Sequence, residues 1–332
     1  MRIQGFAALN KKEELSEFQY DSKPIKDYDC IVKVHTCGIC HSDIHMMDND
    51  WNMSSYPLVP GHEVVGVVEE VGKLVNHLKA GDRVGVGWQS GACLECEDCL
   101  RGNENLCRRA ESTIVGRHGG FASHIQLDSR FCFKIPDSIA SEYASPLLCA
   151  GITVFSALRY AGMTSGQNIG VIGIGGLGHL AVQFASKLGN RVTVFTTSPD
   201  KEEFALANGA TEVVVGSPKK VKNKLNIILN TTHNDLDWPR FLSFLDSDGT
   251  LSFVGVPPST LSNVHVGMLL DRRLRIMGSP IGGRAMIHDM LRISAEQKIR
   301  PVIERFTASN ANAAITKVRE NKIRYRAVLD FI

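Results

Sequence analysis

The chain has 332 residues, enough for about two domains of ~150 residues each, and its 43% hydrophobic and 22% charged content is that of an ordinary globular protein with a full core. A net charge of +2, with no lysine or arginine block standing out, gives no argument for nucleic acid or a membrane surface as partner, and neither is expected. The longest apolar run, LLCAGITVFSAL (147–158), is too short to span a bilayer, and the opening MRIQGFAALNKKEELSEF has no apolar stretch of the signal-peptide kind, so the cytoplasm is the expected compartment.

The first third reads as short strands between glycine turns. IVKVHT (31–36) alternates, with Val32 and Val34 on one face and Lys33 and His35 on the other. HEVVGVVEEVG (62–72), GDRVGVGW (81–88), FASHIQL (121–127) and FCFKIP (131–136) follow. Short strands at this spacing predict a β-barrel-like domain. Two sets of metal-binding residue types fall within it. CGICHSDIH (37–45), Gly61-His62-Glu63 and Cys149 are far apart in sequence, but two cysteines and a histidine drawn from them would give zinc three ligands and an open fourth position. CLECEDCLRGNENLC (93–107) is denser, with the spacing C-x2-C-x2-C-x7-C. A reducing compartment disfavours disulfides there. Four thiolates can close a tetrahedral shell around zinc, and an iron–sulfur cluster is the next candidate. Glu95, Glu97, Asp98 and Glu104 against the single Arg101 make this lobe acidic, which argues against a nucleic-acid-binding zinc ribbon.

From about residue 150 the texture changes. NIGVIGIGGLGHLAVQFASKLGNRVTVFTTS (168–198) reads strand, glycine turn, helix, strand. Leu180, Val182, Phe184, Ala185 and Leu188 form a broad apolar stripe on the helix from Gly178, and Asn190 suits its end. Gly173-Ile174-Gly175-Gly176-Leu177-Gly178 is a G-x-G-x-x-G in the strand-to-helix context that binds a dinucleotide pyrophosphate. An NAD site usually has a carboxylate about 20 residues further on. Here RVTVF (191–195) ends instead in Thr196, Thr197 and Ser198, with Lys201 close behind. Hydroxyls and an ammonium suit a 2′-phosphate, so NADP(H) is expected over NAD(H). Asp200 is assigned to the first helical turn, facing the dipole, with Ser198 as N-cap and Pro199 at the first helical position. Strands EVVVG (212–216), LNIILNTT (225–232), GTLSFVG (249–255) and RLRIMGS (273–279) follow, then helices over 286–296 and 309–320 and a last strand RAVLDFI. Alternating strands and helices predict a parallel sheet covered on both faces.

Together these motifs resemble the medium-chain zinc-dependent alcohol dehydrogenases, and within them the NADP-dependent cinnamyl alcohol dehydrogenase-like branch. CGICHSDIH, YPLVPGHEVVGVV, the four-cysteine lobe, LLCAGITV, VIGIGGLGHLAVQFA, GSPIGG and RYRAVLDF occur in the family's order over nearly the whole chain. The resemblance implies a GroES-like β-barrel catalytic domain over 1–149 with a structural zinc lobe at 91–108. It also implies a Rossmann doubly wound domain over 150–282 and a segment, 283–332, that completes the catalytic domain. Cys40, His62 and Cys149 match the catalytic zinc ligands, and Cys93, Cys96, Cys99 and Cys107 the structural zinc. Glu63 matches an acidic neighbour of the metal, Asp43 a carboxylate that orients the ligand histidine, and Ser42 and His45 a proton relay ending in an imidazole. His41, Thr153, Val254, Gly255, Ser279 and Arg326 match residues around the cofactor. Cys30, Cys37 and Cys132 match no role and are expected to pack in the core.

The resemblance implies a reversible conversion of primary alcohols to aldehydes with NADP(H) and a homodimer joined through the cofactor domain. The stretch RRAESTIVGRH (108–118) is shorter than in the plant cinnamyl branch. An open pocket lined by Trp51, Trp88 and Gln89, suited to a broad range of aldehydes, is therefore expected, with ordinary packing as the competing role of the tryptophans. Two rivals are a metal-free quinone oxidoreductase-like hydride transferase and a non-enzymatic NADPH sensor. The presence of Cys40, His62 and Cys149 weighs against the first, and the relay together with the ligand set against the second.

Overall fold

The computed structural model describes residues 1–259, 261 and 263–331. The chain divides into two compact units, Met1–Cys149 together with the chain from Gly282, and Ala150–Ile281. Among the described residues no helix is long and apolar enough to cross a membrane.

The first unit contains β1 (Arg2–Ala8), β2 (Leu15–Asp21), β3 (Asp29–Ile39), β4 (Val64–Val71), β5 (Arg83–Val86), β6 (Gln89–Gly91), β7 (Glu111–Ser112), β8 (His124–Asp128) and β9 (Phe133–Lys134). Strand β3 organises it. Along one edge it pairs antiparallel with β4, and along the other with β8 over Asp29–Lys33. Its far end pairs with the last strand of the chain, Val328 lying opposite Gly38. Val32 and Val34 are buried and Lys33 is exposed, as the alternation requires, but from Thr36 to Ile39 every residue is buried because β3 is covered on both faces there. Strand β4 begins only at Val64, so His62 and Glu63 lie in the turn before it. The core gathers Val32, Val34, Ile39, Val64, Val84, Phe121 and Phe131, with the Cys30 and Cys132 thiols 3.2 Å apart inside it.

The second unit is a six-stranded parallel sheet of β10 (Asn168–Ile172), β11 (Arg191–Thr196), β12 (Glu212–Val215), β13 (Leu225–Asn230), β14 (Leu245–Phe253) and β15 (Arg275–Gly278). Its order, β12-β11-β10-β13-β14-β15, is the doubly wound 3-2-1-4-5-6 arrangement, whose direction reverses between β10 and β13. Ile169 to Ile172 are all buried, the unbroken apolar run of a central parallel strand. The helix after it spans Gly178–Lys187 and stops because Gly189 takes φ +87°; Asn190, expected to end the helix, does so only through its side chain, which donates to the Ala185 carbonyl at 3.1 Å. After β11 the chain makes a 3₁₀ turn, Pro199–Lys201, before the helix Glu202–Ala207. Ser198 stands at the N-cap position of this turn with Pro199 first in it, as expected, but its side chain makes no capping bond.

Beyond the second unit the chain adds a helix, Arg284–Glu296, and β16 (Ile303–Thr307). A further helix, Ala311–Arg319, and β17 (Arg326–Asp330) return it to β3. Both helices fall within two residues of their expected bounds.

Candidate active site and cofactor cradle

Cys40 ends β3's run and opens the short helix His41–Met47, which carries Ser42, Asp43 and His45 on a single turn and a half. The fully buried Asp43 carboxylate binds three donors: Oδ2 accepts the Cys40 N–H at 2.9 Å, and Oδ1 accepts the Gly61 N–H at 2.9 Å and His62 Nδ1 at 2.8 Å. A carboxylate on Nδ1 fixes the proton there and leaves the Nε2 lone pair facing inward. His62 Nε2 lies 3.3 Å from Cys149 Sγ, which lies 4.0 Å from Cys40 Sγ. Cys40, His62, Glu63 and Cys149 thus place four ligand atoms within 4.8 Å of one another, all buried. Tetrahedral zinc with sulfur bonds of about 2.3 Å would hold its sulfurs about 3.8 Å apart, so this donor set fits zinc in size and in chemistry.

The electrostatics point the same way. Cys40 is held well below the usual thiol range, chiefly by its hydrogen bond with Cys149 and also by His62. Glu63 is pushed up to about 7, chiefly by burial, although the Arg326 guanidinium opposes this. Glu63 Oε1 pairs with Arg326 Nη2, while Glu63 Oε2 and Arg326 Nε are buried with no partner. This orphaned carboxylate oxygen lies beside three ligand atoms, so Glu63 fits a metal that its carboxylate can approach. Arg326, expected at the cofactor, belongs to the first unit and has its guanidinium engaged by Glu63.

Ser42 Oγ lies 3.6 Å from Cys40 Sγ, at the edge of the cluster. His45 is half-exposed and its Nδ1 meets Asp50 Oδ2 at 2.8 Å. Nothing in the sequence singled out Asp50; its only signal is its place five residues after His45. Trp88 sets its ring edge against His62 at 5.0 Å, and Trp51 stands 6.0 Å from Trp88 and 5.1 Å from His45. Gln89 does not join this aromatic wall. It is buried, and its amide donates to the Gly91 and Glu104 carbonyls, so it buttresses the cysteine lobe instead.

In the lobe, Cys93, Cys96, Cys99 and Cys107 bring four sulfurs within 4.8 Å. Backbone N–H groups of Glu95 and Cys96 draw Cys93 down to about 6, while burial pushes Cys99 up to about 12. A set of four sulfurs suits a closed structural zinc. Glu104, counted in the sequence only as part of an acidic lobe, is buried; its oxygens accept the backbone N–H of Arg284 at 3.0 Å and Arg284 Nε at 2.7 Å. It thereby caps the helix Arg284–Glu296.

Most of the other expected residues lie at or just after the carboxyl ends of the second unit's strands. Gly173 has φ +87°, and a Cβ there would stand 2.5 Å from Thr232 Cγ2. A Cβ on Gly178 would meet the Gly173 carbonyl at 2.1 Å, so helix and strand need glycine to pack this closely, while Gly175 faces open space. Gly176 and Leu177 complete the turn. Val254 and Gly255 donate their N–H groups to the Asn230 carbonyl at 3.1 Å, and Ser279 N–H reaches Phe253. Thr196 is buried and its hydroxyl accepts the Ser198 N–H at 3.1 Å; Thr197 is exposed and Lys201 half-buried. Thr153 lies in the helix Ile152–Tyr160 of this unit, whereas His41 is an exposed residue of the first.

A doubly wound sheet, a zinc-fitting cluster and a closed four-sulfur lobe define a zinc-binding dehydrogenase. Residues 26–137 match the family model of the alcohol dehydrogenase GroES-like domain and residues 176–296 that of the zinc-binding dehydrogenases. The chain belongs to the medium-chain zinc-dependent alcohol dehydrogenases, and it is an oxidoreductase of the alcohol dehydrogenase type. It is 41% identical over 331 residues to the aldehyde reductase AdhA of Synechocystis, covering 98% of each chain. Among solved structures, a cinnamyl alcohol dehydrogenase of Sorghum bicolor superposes with a TM-score of 0.92 at 35% identity, over 99% of this chain and 98% of that one. The cinnamyl alcohol dehydrogenase of Helicobacter pylori, solved as a complex with NADP(H), gives 0.91 at 31% identity over the same shares.

Proposed function

We propose that the chain interconverts primary alcohols and aldehydes by hydride transfer with NADP(H) and works as an aldehyde reductase of broad range. The observation that carries this reading is the buried Cys40, His62 and Cys149 set, its imidazole oriented by Asp43. Zinc held by these three residues supplies Lewis-acid polarisation of a substrate oxygen. NADP(H), received at the Gly173–Gly178 turn, supplies or accepts the hydride.

The rest falls to the chain's own groups. Asp43 keeps the His62 proton on Nδ1 and so keeps Nε2 available to metal. Arg326, paired with Glu63, offsets that carboxylate, so Glu63 adds no net negative charge to the two thiolates of the buried site. Ser42 offers a hydroxyl proton beside the cluster, and His45, steadied by Asp50, exchanges protons with solvent. Trp51 and Trp88 form an apolar wall that tolerates varied aldehydes. Thr196, Thr197, Ser198 and Lys201 would receive the 2′-phosphate of NADP(H), in keeping with the named cofactor of the Helicobacter relative.

In this reading the protein is a cytoplasmic homodimer. Six of its nine cysteines stand in the two candidate metal sites, a use of thiols that fits a reducing compartment. Strand β15 ends the parallel sheet, its outer edge unpaired among the described residues, and Val266 and Leu270, on the helix before it in the chain, are 68% and 74% exposed.

The test is NADPH consumption by zinc-replete protein with short and long aliphatic aldehydes, benzaldehyde and cinnamaldehyde, with NADH in parallel. Turnover of several aldehydes with NADPH preferred is expected. No turnover of any of them with either cofactor, on folded and metal-loaded protein, would return the chain to the sensor reading.

A further inference from the structure

One edge of the cofactor unit carries charge that the glycine cradle does not use. Lys219, Lys220, Lys222 and Lys224 crowd the connection from β12 to β13 and escape notice in a chain whose net charge is +2. Strand β12 runs parallel to β11 with Val215 beside Thr196, and the next residue, Gly216, donates its N–H to the Thr196 carbonyl at 2.8 Å. The connection therefore leaves the sheet beside the residue that ends β11. It then doubles back along the edge strand. The Lys222 N–H meets Glu212 Oε1 at 3.2 Å, at the opposite end of β12, and Lys224 Nζ is carried on to the Ser243 carbonyl at 2.5 Å.

Of these four lysines, Lys219 and Lys220 follow Gly216 most closely along the chain. From Gly216 to Lys219 is at most about 10 Å of extended chain, a gap that a flexible lysine stem shortens further. Both are exposed, and neither forms an ion pair among the described residues. One of the nearby carboxylates is already engaged, and the others sit at helix starts. Glu212 accepts from Lys222 N–H and Thr193 Oγ1, and Asp200, Glu202 and Glu203 sit in the first turns after Ser198, where the backbone N–H groups favour them. A phosphate answered by Lys201 alone would be left with uncompensated charge.

We propose that Lys219 and Lys220, on the β12–β13 connection, form a second cationic arm of the 2′-phosphate site and set the margin by which this chain prefers NADP(H) to NAD(H), an inference that rests on the NADP(H) reading above. Adenosine 2′,5′-bisphosphate and adenosine 5′-monophosphate differ only in the 2′-phosphate. Calorimetric binding of each to the full-length protein measures the margin without any turnover. The unmodified chain is expected to bind the bisphosphate more tightly, by a margin that shrinks as salt rises. Lys219→Gln combined with Lys220→Gln is expected to weaken bisphosphate binding about five- to tenfold and to leave the monophosphate unchanged. Lys222→Gln, at the far end of β12, is expected to change neither. A margin that survives the double substitution overturns the second arm and leaves Thr196 and Lys201 as the site. An equal loss from Lys222→Gln overturns it too, because the charge would then act diffusely. No margin in the unmodified chain overturns both the arm and the NADP(H) reading.

Discussion

The two sulfur clusters of the first unit are assembled in opposite ways. Cys93 to Cys107 lie on one short loop, half of them partly exposed, and they meet through local turns such as the Cys96 N–H on Cys93 Sγ at 3.4 Å. Cys40, His62 and Cys149 come from three separate stretches, are buried, and meet only because β3, the turn before β4 and the chain at Cys149 converge. The first cluster can hold its shape once metal is bound, whereas the second depends on the whole unit. Metal at the lobe should therefore govern stability, and metal at the buried site should govern turnover.

His62→Ala tests that division most severely. Turnover is expected to fall about a thousandfold or more, with NADPH binding intact and the lobe's zinc retained; near-normal turnover would remove the buried cluster from the chemistry. Asp43→Asn comes next. It should lower zinc affinity at the buried site about 10- to 100-fold in a chelator competition, with no change at the lobe. A matching loss at both sites would erase the distinction between them. On the other side, Glu104→Gln should lower stability by about 2 kcal/mol in denaturant unfolding while kcat stays within twofold, since it removes the charged cap of the helix Arg284–Glu296. His45→Gln should slow turnover about tenfold near neutral pH and alter the pH profile, without moving the unfolding midpoint.

The smallest effect concerns acid. Burial, with Arg284 and His77 nearby, holds His288 below the ordinary imidazole range. The unfolded chain then takes up a proton more readily than the folded one. Stability is complete above about pH 6.5 and declines as pH falls from there toward the lower folded value. His35 and His118, also lowered mainly by burial, act in the same direction. His288→Gln should flatten the acid limb of a stability–pH curve, and an unchanged slope would remove this residue from the account.

Legibility followed the same contrast. The C-x2-C-x2-C-x7-C spacing and the G-x-G-x-x-G turn are local patterns, and each could be read directly from the residues. The parallel sheet was legible because apolar runs such as Ile169–Ile172 recur between helices. The buried cluster had residue types but no spacing, so its membership came from the resemblance. Partnerships across long separations left no local trace: Glu104 with Arg284, Glu63 with Arg326, and Gln89 with the lobe's backbone. Each places a polar group in a buried setting where its partner, and not its own neighbours in sequence, decides what it does. Helix ends were only partly legible, for a different reason. Asn190 was plausible by propensity, but the backbone turned one residue earlier at Gly189, while Ser198 took its N-cap position ahead of a 3₁₀ turn without a side-chain bond.

The pairing of β17 with β3 also sets an order of events on the ribosome. Ala150–Ile281 is one continuous stretch, so the cofactor unit has all its strands as soon as it emerges. The first unit must wait. At about 5–20 residues per second, tens of seconds pass between synthesis of β3 and of β17. Until then the Thr36–Ile39 edge of β3 has no partner strand, and Glu63 lacks the Arg326 cation that offsets its burial. The nascent chain thus carries an open sheet edge next to unligated thiols, which makes β3 the segment where a chaperone, or early loading of metal, would do the most to protect the newborn enzyme.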